Sequence, residues 1–508
     1  MKPTILNNRI IGVDLGNSFT KAAFIDGSGS PRAFPNRDGT MVTPSVVYVS
    51  LGGKEILVGQ AALNMAQIEP ERVFANFKRY VGTDHIFGKA GDIEITATWL
   101  QAQVLSYILE SARERFGDPQ AGSRVVVTVP ANFNERQRQS VCESAKMAGT
   151  TVDDFINEPT AACLAHGLAQ KPGDSLSLIV DKGGSSTDTS LVQYQGGVAT
   201  VLASEGSNEL GGQDVDKLLM GLLQEEFRSQ HGLEFTAKSH PGEFFRAEEE
   251  VIRVKQSLSS RREARLTAQA NGLVVAITIT REQFADLLAP MMARIKELIL
   301  KTLAAAKVDV SDINQVVKVG GSSRILPFRD LLNEIFGEKT VVGGDISPDF
   351  CVAEGAAIHA IKLATAQGAT VVDEELQAIP APAISHADVM PHSVGIAVQD
   401  KAGGKLRCCA ILFKNGPMPG QAVRRFASVT DDQRHFRVVI LQGEDKQLLE
   451  ECLVVAEKEI QFKPRSHKQP SLEITLAYDR SSMVHVVVHD LVGGLKEDIT
   501  TKFFGNGN

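Results

Sequence analysis

The sequence predicts an α/β domain followed by a smaller all-β domain. Up to about residue 370, short apolar runs of strand character alternate with helical stretches such as residues 282–306, EQFADLLAPMMARIKELILKTLAAA. That alternation is the pattern of strands and helices sharing one layered core. Residues 366–388, AQGATVVDEELQAIPAPAISHAD, are rich in Ala and Pro, hold no sustained period and read as a linker. Beyond them, SVGIAV, FRVVIL, LEITLAY and VHVVVHD alternate apolar and polar residues between Gly, Pro, Asn and Asp clusters, the mark of short strands in half-buried sheets. The expected organisation is an α/β domain over 1–365, a linker over 366–388 and an all-β domain over 389–508.

A chain of 508 residues with 43% hydrophobic content can fill two to four domain cores. Its net charge of -8 and isoelectric point near 5.8 argue against nucleic acid or anionic membrane as general partners, since both require a basic surface. Cys142, Cys163, Cys351, Cys408, Cys409 and Cys452 show no C-x-x-C spacing, so neither a zinc site nor a disulfide framework is expected, and a reducing compartment fits. The start, MKPTILNNRIIG, lacks the apolar centre of a signal peptide, and no apolar run approaches the length of a membrane span. A cytoplasmic location is the expectation.

The α/β part contains an internal echo. IIGVDLGNSFTKAAFID (10–26) and LIVDKGGSSTDTSLVQY (178–194) each run from an aliphatic strand to an Asp, a glycine-containing turn with small polar residues, and a second strand. Each reads as a β-hairpin with a tight, hydroxyl-rich tip. One such hairpin is an ordinary turn, whereas two facing tips would present backbone N–H groups and hydroxyls to adjacent phosphates. Asp14 and Asp181, at the ends of the two first strands, would then hold a hydrated Mg²⁺ between them. A third element, VVKVGGSSRILPF (316–328), leads an apolar strand into Gly320 and Gly321 and then a helix. Bare backbone there suits a ribose or base, and Arg324 could stack on an adenine face. Neither G-x-G-x-x-G after a strand nor G-x-x-x-x-G-K-[ST] occurs where a dinucleotide or Walker site needs it.

IGVDLGNS, VVVTVPANFNERQRQS, FINEPTAACLAHGLA, VDKGGSSTD, GSNELGGQDVD, VGGSSRILP and SPDFCVAEGAAI, in this order, resemble the nucleotide-binding domain of the 70-kilodalton heat-shock chaperones. ILFKNGPMP, VVILQGEDK and VHVVVHD resemble that family's β-sandwich peptide-binding domain. The resemblance covers nearly the whole chain. It implies an actin-like, two-lobed ATPase that uses ATP/ADP and Mg²⁺, joined to a client-binding sandwich; the chain stops at FFGNGN, where the sandwich ends, so the family's helical lid is not expected.

Matched to the family, Asp14, Asp181 and Asp188 fall around metal and attacking water, with Ser186 beside them, Lys78 at the terminal phosphate and Glu158 near the water. Gly16, Asn17, Ser18 and Phe19 form the first tip, Gly183, Gly184 and Ser185 the second, and Gly211 and Gly212 a loop against the phosphates. Lys255, Ser259, Gly320, Gly321, Ser322, Arg324 and Asp349 fall on the adenosine side. These residue types suit phosphoryl transfer to water, which depends on charge neutralisation and alignment.

The pattern is not followed throughout. Asn17 and Ser186 stand where the family has threonines, Ser185 replaces a glycine, Lys182 an aliphatic residue and Ile252 a glutamate near the ribose. Pro130 and Arg138 match the interdomain switch, while PAPAISHAD replaces a leucine-rich linker and should dock weakly. Asn157 and Asp388 match; Asp154 sits where an arginine receives an acidic J-domain motif, a charge reversal that would weaken a J-domain partner. The resemblance also implies unfolded polypeptide and a nucleotide-exchange factor as partners. Ile396, Val429, Phe436 and Val438 align with the peptide pocket, with Phe436 where a small aliphatic residue is usual. Three readings stand at this point: a chaperone ATPase, a nucleotide-gated binding module with little hydrolysis and an occluded pocket, and another actin-like protein such as a sugar kinase or filament former. The appended β domain argues against the third.

Overall fold

The computed structural model describes residues 4–7, 10–167, 174–195, 198–341, 347–366, 369–372, 385–387 and 390–500, except 391, 400–403, 415, 418, 429, 431–432, 462–469 and 479–483. It divides into two compact units, one of Met1–Pro130, Val141–Ala199 and Ala203–Ser385, the other of Ala131–Ser140, Thr200–Leu202 and His386–Asn508. No helix among the described residues is long and apolar enough to cross a membrane.

The first unit is α/β, with two mixed sheets that repeat one plan. The first sheet runs Thr151–Asn157, Arg124–Val129, Ile11–Leu15, Phe19–Ile25 and Pro31–Ala33. In the second, Thr340–Val341, Gln315–Val319, Ser175–Lys182, Thr187–Gln195 and Val198–Ser207 take the corresponding places. Each sheet therefore sets an antiparallel hairpin against two parallel strands. Val125–Val129 and Gln315–Val319 are buried along their length, which is why neither shows the in–out alternation of a half-exposed strand.

Helices cover these sheets. Arg281–Ala306 starts at a capping box: Thr280 Oγ1 accepts from the Gln283 amide and Gln283 Oε1 accepts from the Thr280 amide. Cys351–Ala366 is built largely from Ala and small apolar residues and is mostly buried. It crosses the short helix Glu158–Ala165 at Gly355, where a Cβ would lie 1.8 Å from the Ala161 carbonyl oxygen, so only glycine permits the approach. That crossing fixes where Glu158, first residue of the short helix, begins.

Two strands fall within the expected linker, Ala369–Val372 and Ser385–Ala387. Within 366–388, Ala369–Val372 forms a strand that pairs in parallel with Thr4–Asn7; the segment has no period of its own because its pairing partner lies at the other end of the unit. Asp154 also departs from expectation. Its carboxylate is buried, bonded to His359 Nε2 at 2.9 Å and to the Phe155 amide at 2.9 Å, so it offers no negative charge at the surface.

The second unit is all β. Arg407–Leu412, Val394–Val398, His435–Gln442 and Leu453–Gln461 form one antiparallel sheet, and Gly420–Ala427, Pro470–Tyr478, Val484–Asp490 and Lys496–Thr500 the other. The two share a single apolar core that includes Val394, Ile440, Leu476 and Val486. Ile396 and Val438 lie within this core and Phe436 packs against it, whereas Val439 and Leu441 face a separate cluster with Cys408. Alternation along His435–Gln442 thus turns Phe436, Val438 and Ile440 to one side, and a slip of one residue would reverse all three. Val429 lies outside the described residues.

Lys182, at the end of a hairpin strand, is fully buried, donates to the Leu210 carbonyl at 2.5 Å and sits 5.9 Å from the Phe328 ring centroid. Burial pushes its ammonium down to about 8 from an ordinary 10.5. Because the folded value lies below the unfolded one, the unfolded chain binds more protons between about pH 8 and 10.5, and stability rises with pH across that window. Lys182→Met should be about 1–3 kcal/mol more stable at neutral pH and should lack that rise, measured by urea denaturation as a function of pH.

Candidate functional site

The two hairpins bring the chemistry together. Register pairs Asp14 with Lys21 in the first and Asp181 with Asp188 in the second. Directly opposed residues of an antiparallel pair project to the same side, so each hairpin offers two charged side chains below its tip. The tips meet: a Cβ on Gly184 would lie 2.0 Å from Ser18 Oγ. Gly183 and Gly184 carbonyls accept from the amides of Gly212 and Gln213 at 3.0 and 2.7 Å, which seats the Gly211–Gly212 loop on the second tip.

Below the tips the site is crowded with buried carboxyls. Burial pushes Asp181 well above the carboxylate range, reinforced by Glu158, Asp188 and Asp14, and pushes Asp188 up to about 7, reinforced by Glu158. Glu158 is raised by burial and held back by Lys78, whose Nζ lies 3.0 Å from Oε1. Lys21 Nζ donates to Asp14 Oδ2 at 2.9 Å, and burial of that ammonium is outweighed by Asp14, so its pKa rises. Asp14, Glu158, Asp181 and Asp188 thus share the site with Lys21 and Lys78. With all ionised, the carboxylates outnumber the ammoniums by two, a deficit that a divalent cation fits. Among the described residues no three His, Cys, Asp or Glu side chains converge closely enough to clasp a metal directly.

On the far side, Lys255 Nζ lies 3.2 Å from the Gly212 carbonyl and 2.7 Å from Asp216 Oδ2, and a Cβ on Gly212 would meet Ser322 Oγ. Gly320, at φ 80°, passes so close to the second hairpin that a Cβ would lie 2.6 Å from Asp181 Oδ1. Arg324 is tied to Asp349 at 2.6 Å, beside Gly321.

The family resemblance of the motifs agrees with the comparisons to known proteins. The Hsp70 protein family model matches residues 10–506. The chain belongs to the Hsp70 family. It is 32% identical to the chaperone protein DnaK of Thermosipho melanesiensis over 494 residues, 96% of this chain and 79% of that protein. The DnaK of Thermosipho africanus is 32% identical over 496 residues, and that of Thermotoga maritima 31% over 495, covering 79% and 80% of those proteins. The chain therefore spans about four fifths of the length of these relatives.

The Hsp70 motif residues do not all converge equally. Asp14, Lys78, Glu158, Asp181, Ser186 and Asp188 surround one space, and Ser186 donates to Asp188. The Phe19 ring is 46% exposed, while Asn17 is buried, donates to Asn76 Oδ1 at 2.9 Å and leaves its own Oδ1 unbonded among the described residues. Ser259 closes the helix Pro241–Leu258, on which Ile252 is exposed. Pro130 and Arg138 are buried, Arg138 on the helix Glu135–Met147; Asp388 lies outside the described residues.

Sequence reasoning missed several members of the site. Lys21 was signalled by a spacing of seven residues, since it follows Asp14 as Asp188 follows Asp181. Arg79 donates to the Ser185 carbonyl at 3.1 Å, and Gln213 bonds Asn76 and, at 3.3 Å, Ser18. These last contacts join distant segments and have no local sequence signal.

Lys78→Met should cost about 2–4 kcal/mol near pH 8 by leaving Glu158 buried without its ammonium. A carboxyl with a raised folded pKa destabilises the fold where it is ionised, so the cost should shrink as pH falls to about 5. Denaturant titrations at both pH values check this.

Proposed function

We propose that the first unit is an actin-like, two-lobed ATPase spanning 1–365, that 389–508 is a client-binding β-sandwich, and that the protein is an ATP-dependent chaperone whose nucleotide state controls its hold on unfolded or extended polypeptide. The observation that carries this is the meeting of two tight hairpin tips above a buried cluster of carboxylates that includes the Lys78–Glu158 pair. Hsp70 membership, and relatives named as chaperones over four fifths of their length, support it.

In this reading the amides of Gly16–Phe19 and Gly183–Ser185 cradle the phosphates of ATP, and Gly211, Gly212, Lys255, Ser259, Gly320, Gly321, Ser322, Arg324 and Asp349 hold the nucleoside side. Asp14 and Asp181 would hold a hydrated Mg²⁺, which would supply positive charge to the phosphate oxygens. Lys78 meets the terminal phosphate and Glu158 orients the attacking water. Asp188, opposite Asp181 in the hairpin, would in its ionised form accept that water's proton as the bond forms. Pro130, Arg138 and Asp388 couple this site to the sandwich. A cytoplasmic role in the stress response, with J-domain and nucleotide-exchange partners, follows from the same reading. The buried Asp154 carboxylate, bonded to His359, makes that position a poor receiver for an acidic J-domain motif whichever charge it carries.

Wild type should gain thermal stability with Mg·ATP and hydrolyse it slowly in single-turnover assays. Lys78→Ala should keep the thermal shift and lose turnover; a wild type without any ATP-dependent shift would remove the nucleotide assignment.

Phe436 packs against the sandwich core beside Ile396 and Val438, and in this reading its ring takes space that a client side chain would need. Fitting a client leucine beside it costs roughly 1–3 kcal/mol. Leucine-rich peptides should therefore bind wild type weakly and Phe436→Val about tenfold or more tightly, by fluorescence anisotropy. Equal affinities would show that the ring does not fill the pocket.

A further inference from the structure

Lys21 is a charged side chain beneath the hairpin tips that the ATPase reading leaves without a role. It stands directly opposite Asp14, the place that Asp188 holds opposite Asp181 in the second hairpin. The duplicated plan thus puts an acid–acid pair under one tip and an acid–base pair under the other. Its Nζ donates to Asp14 Oδ2 at 2.9 Å, and the side chain is 16% exposed, so it is held in place but not sealed off. An ammonium has three donors, and the described residues give this one a single acceptor. Asp181 lies near enough to add to its positive bias.

A fixed ammonium with unspent donors, on the side of a hairpin whose tip carries Gly16, Asn17 and Ser18, is suited to an oxyanion of a polyphosphate. We infer that Lys21 is a built-in cation of the phosphate site: it donates to an oxygen of the bound polyphosphate while keeping its bond to Asp14, and so supplies part of the positive charge that a divalent ion would otherwise provide alone. The consequence is nucleotide binding that depends only weakly on Mg²⁺. Phosphates attract such a charge strongly in a poorly solvated cleft. Asp14, half neutralised by Lys21, in turn has less charge to offer a metal.

This inference rests on the reading that the hairpins hold ATP, and the test separates the two. ATP affinity is measured by isothermal calorimetry on the full chain, in excess Mg²⁺ and in EDTA, for wild type, Lys21→Met and Lys21→Arg, with thermal melts to verify folding. Wild type should lose about tenfold or less on removal of Mg²⁺, Lys21→Met at least about tenfold more than that, and Lys21→Arg should resemble wild type. Equal losses in wild type and Lys21→Met overturn the inference while leaving the nucleotide reading intact. The wild-type measurement also decides alone should Lys21→Met not fold, since a loss beyond about a hundredfold on removing Mg²⁺ overturns it. Absence of ATP binding by wild type in Mg²⁺ removes the nucleotide reading, and this inference with it.

Discussion

Like charges crowded under two touching hairpins set the terms for everything else in the first unit. Asp14, Glu158, Asp181 and Asp188 lie where water is scarce, and burial raises the cost of ionising Glu158, Asp181 and Asp188. Left alone, such a cluster would protonate or come apart. The protein holds it with two ammoniums, Lys21 on Asp14 and Lys78 on Glu158, and with a scaffold of buried parallel strands that cannot easily spread. In the proposed reading, a bound divalent cation would relieve the repulsion that remains, so the carboxylate cluster itself would favour the metal. Structural strain and ligand affinity are here two views of one electrostatic arrangement.

The hairpins themselves could be found in the sequence because each is local: strand, Asp, small-residue turn and strand lie within seventeen or so residues and repeat. The sheets of the second unit were visible for a similar reason, since alternation in VHVVVHD translates directly into buried Val484, Val486 and Val488. Lys21 required one step more. Its spacing from Asp14 is in the sequence, but its meaning depends on register, and only when Asp14 is seen opposite it does an ordinary strand lysine become part of a site.

What could not be read is what depends on long-range pairing. Ala369–Val372 looks like part of a linker until Thr4–Asn7 is laid beside it. Asp154 looks like a displayed charge until His359, more than two hundred positions away, closes over it. Arg79, Asn76 and Gln213 lack any motif and are placed by tertiary packing alone. In each case the deciding partner is remote in the chain, and local pattern has no access to it. The resemblance to a known family recovered the order of the chemical groups, although not these contacts, because the residues making them are not part of the wording of its motifs.

The crossing at Gly355 has a mechanical meaning. With the Ala161 carbonyl where a side chain would stand, backbone rests on backbone, and there is no pliable layer between the helix Cys351–Ala366 and the helix that begins at Glu158. Close-packed contacts of this kind transmit displacement rather than absorb it. The longer helix also lies against the strand that carries Asp14, where a Cβ on Gly12 would fall 2.2 Å from the Ala357 nitrogen. Strand, long helix and short helix therefore form one stiff linkage: any displacement of the first hairpin would reach the start of the short helix at Glu158 with little play.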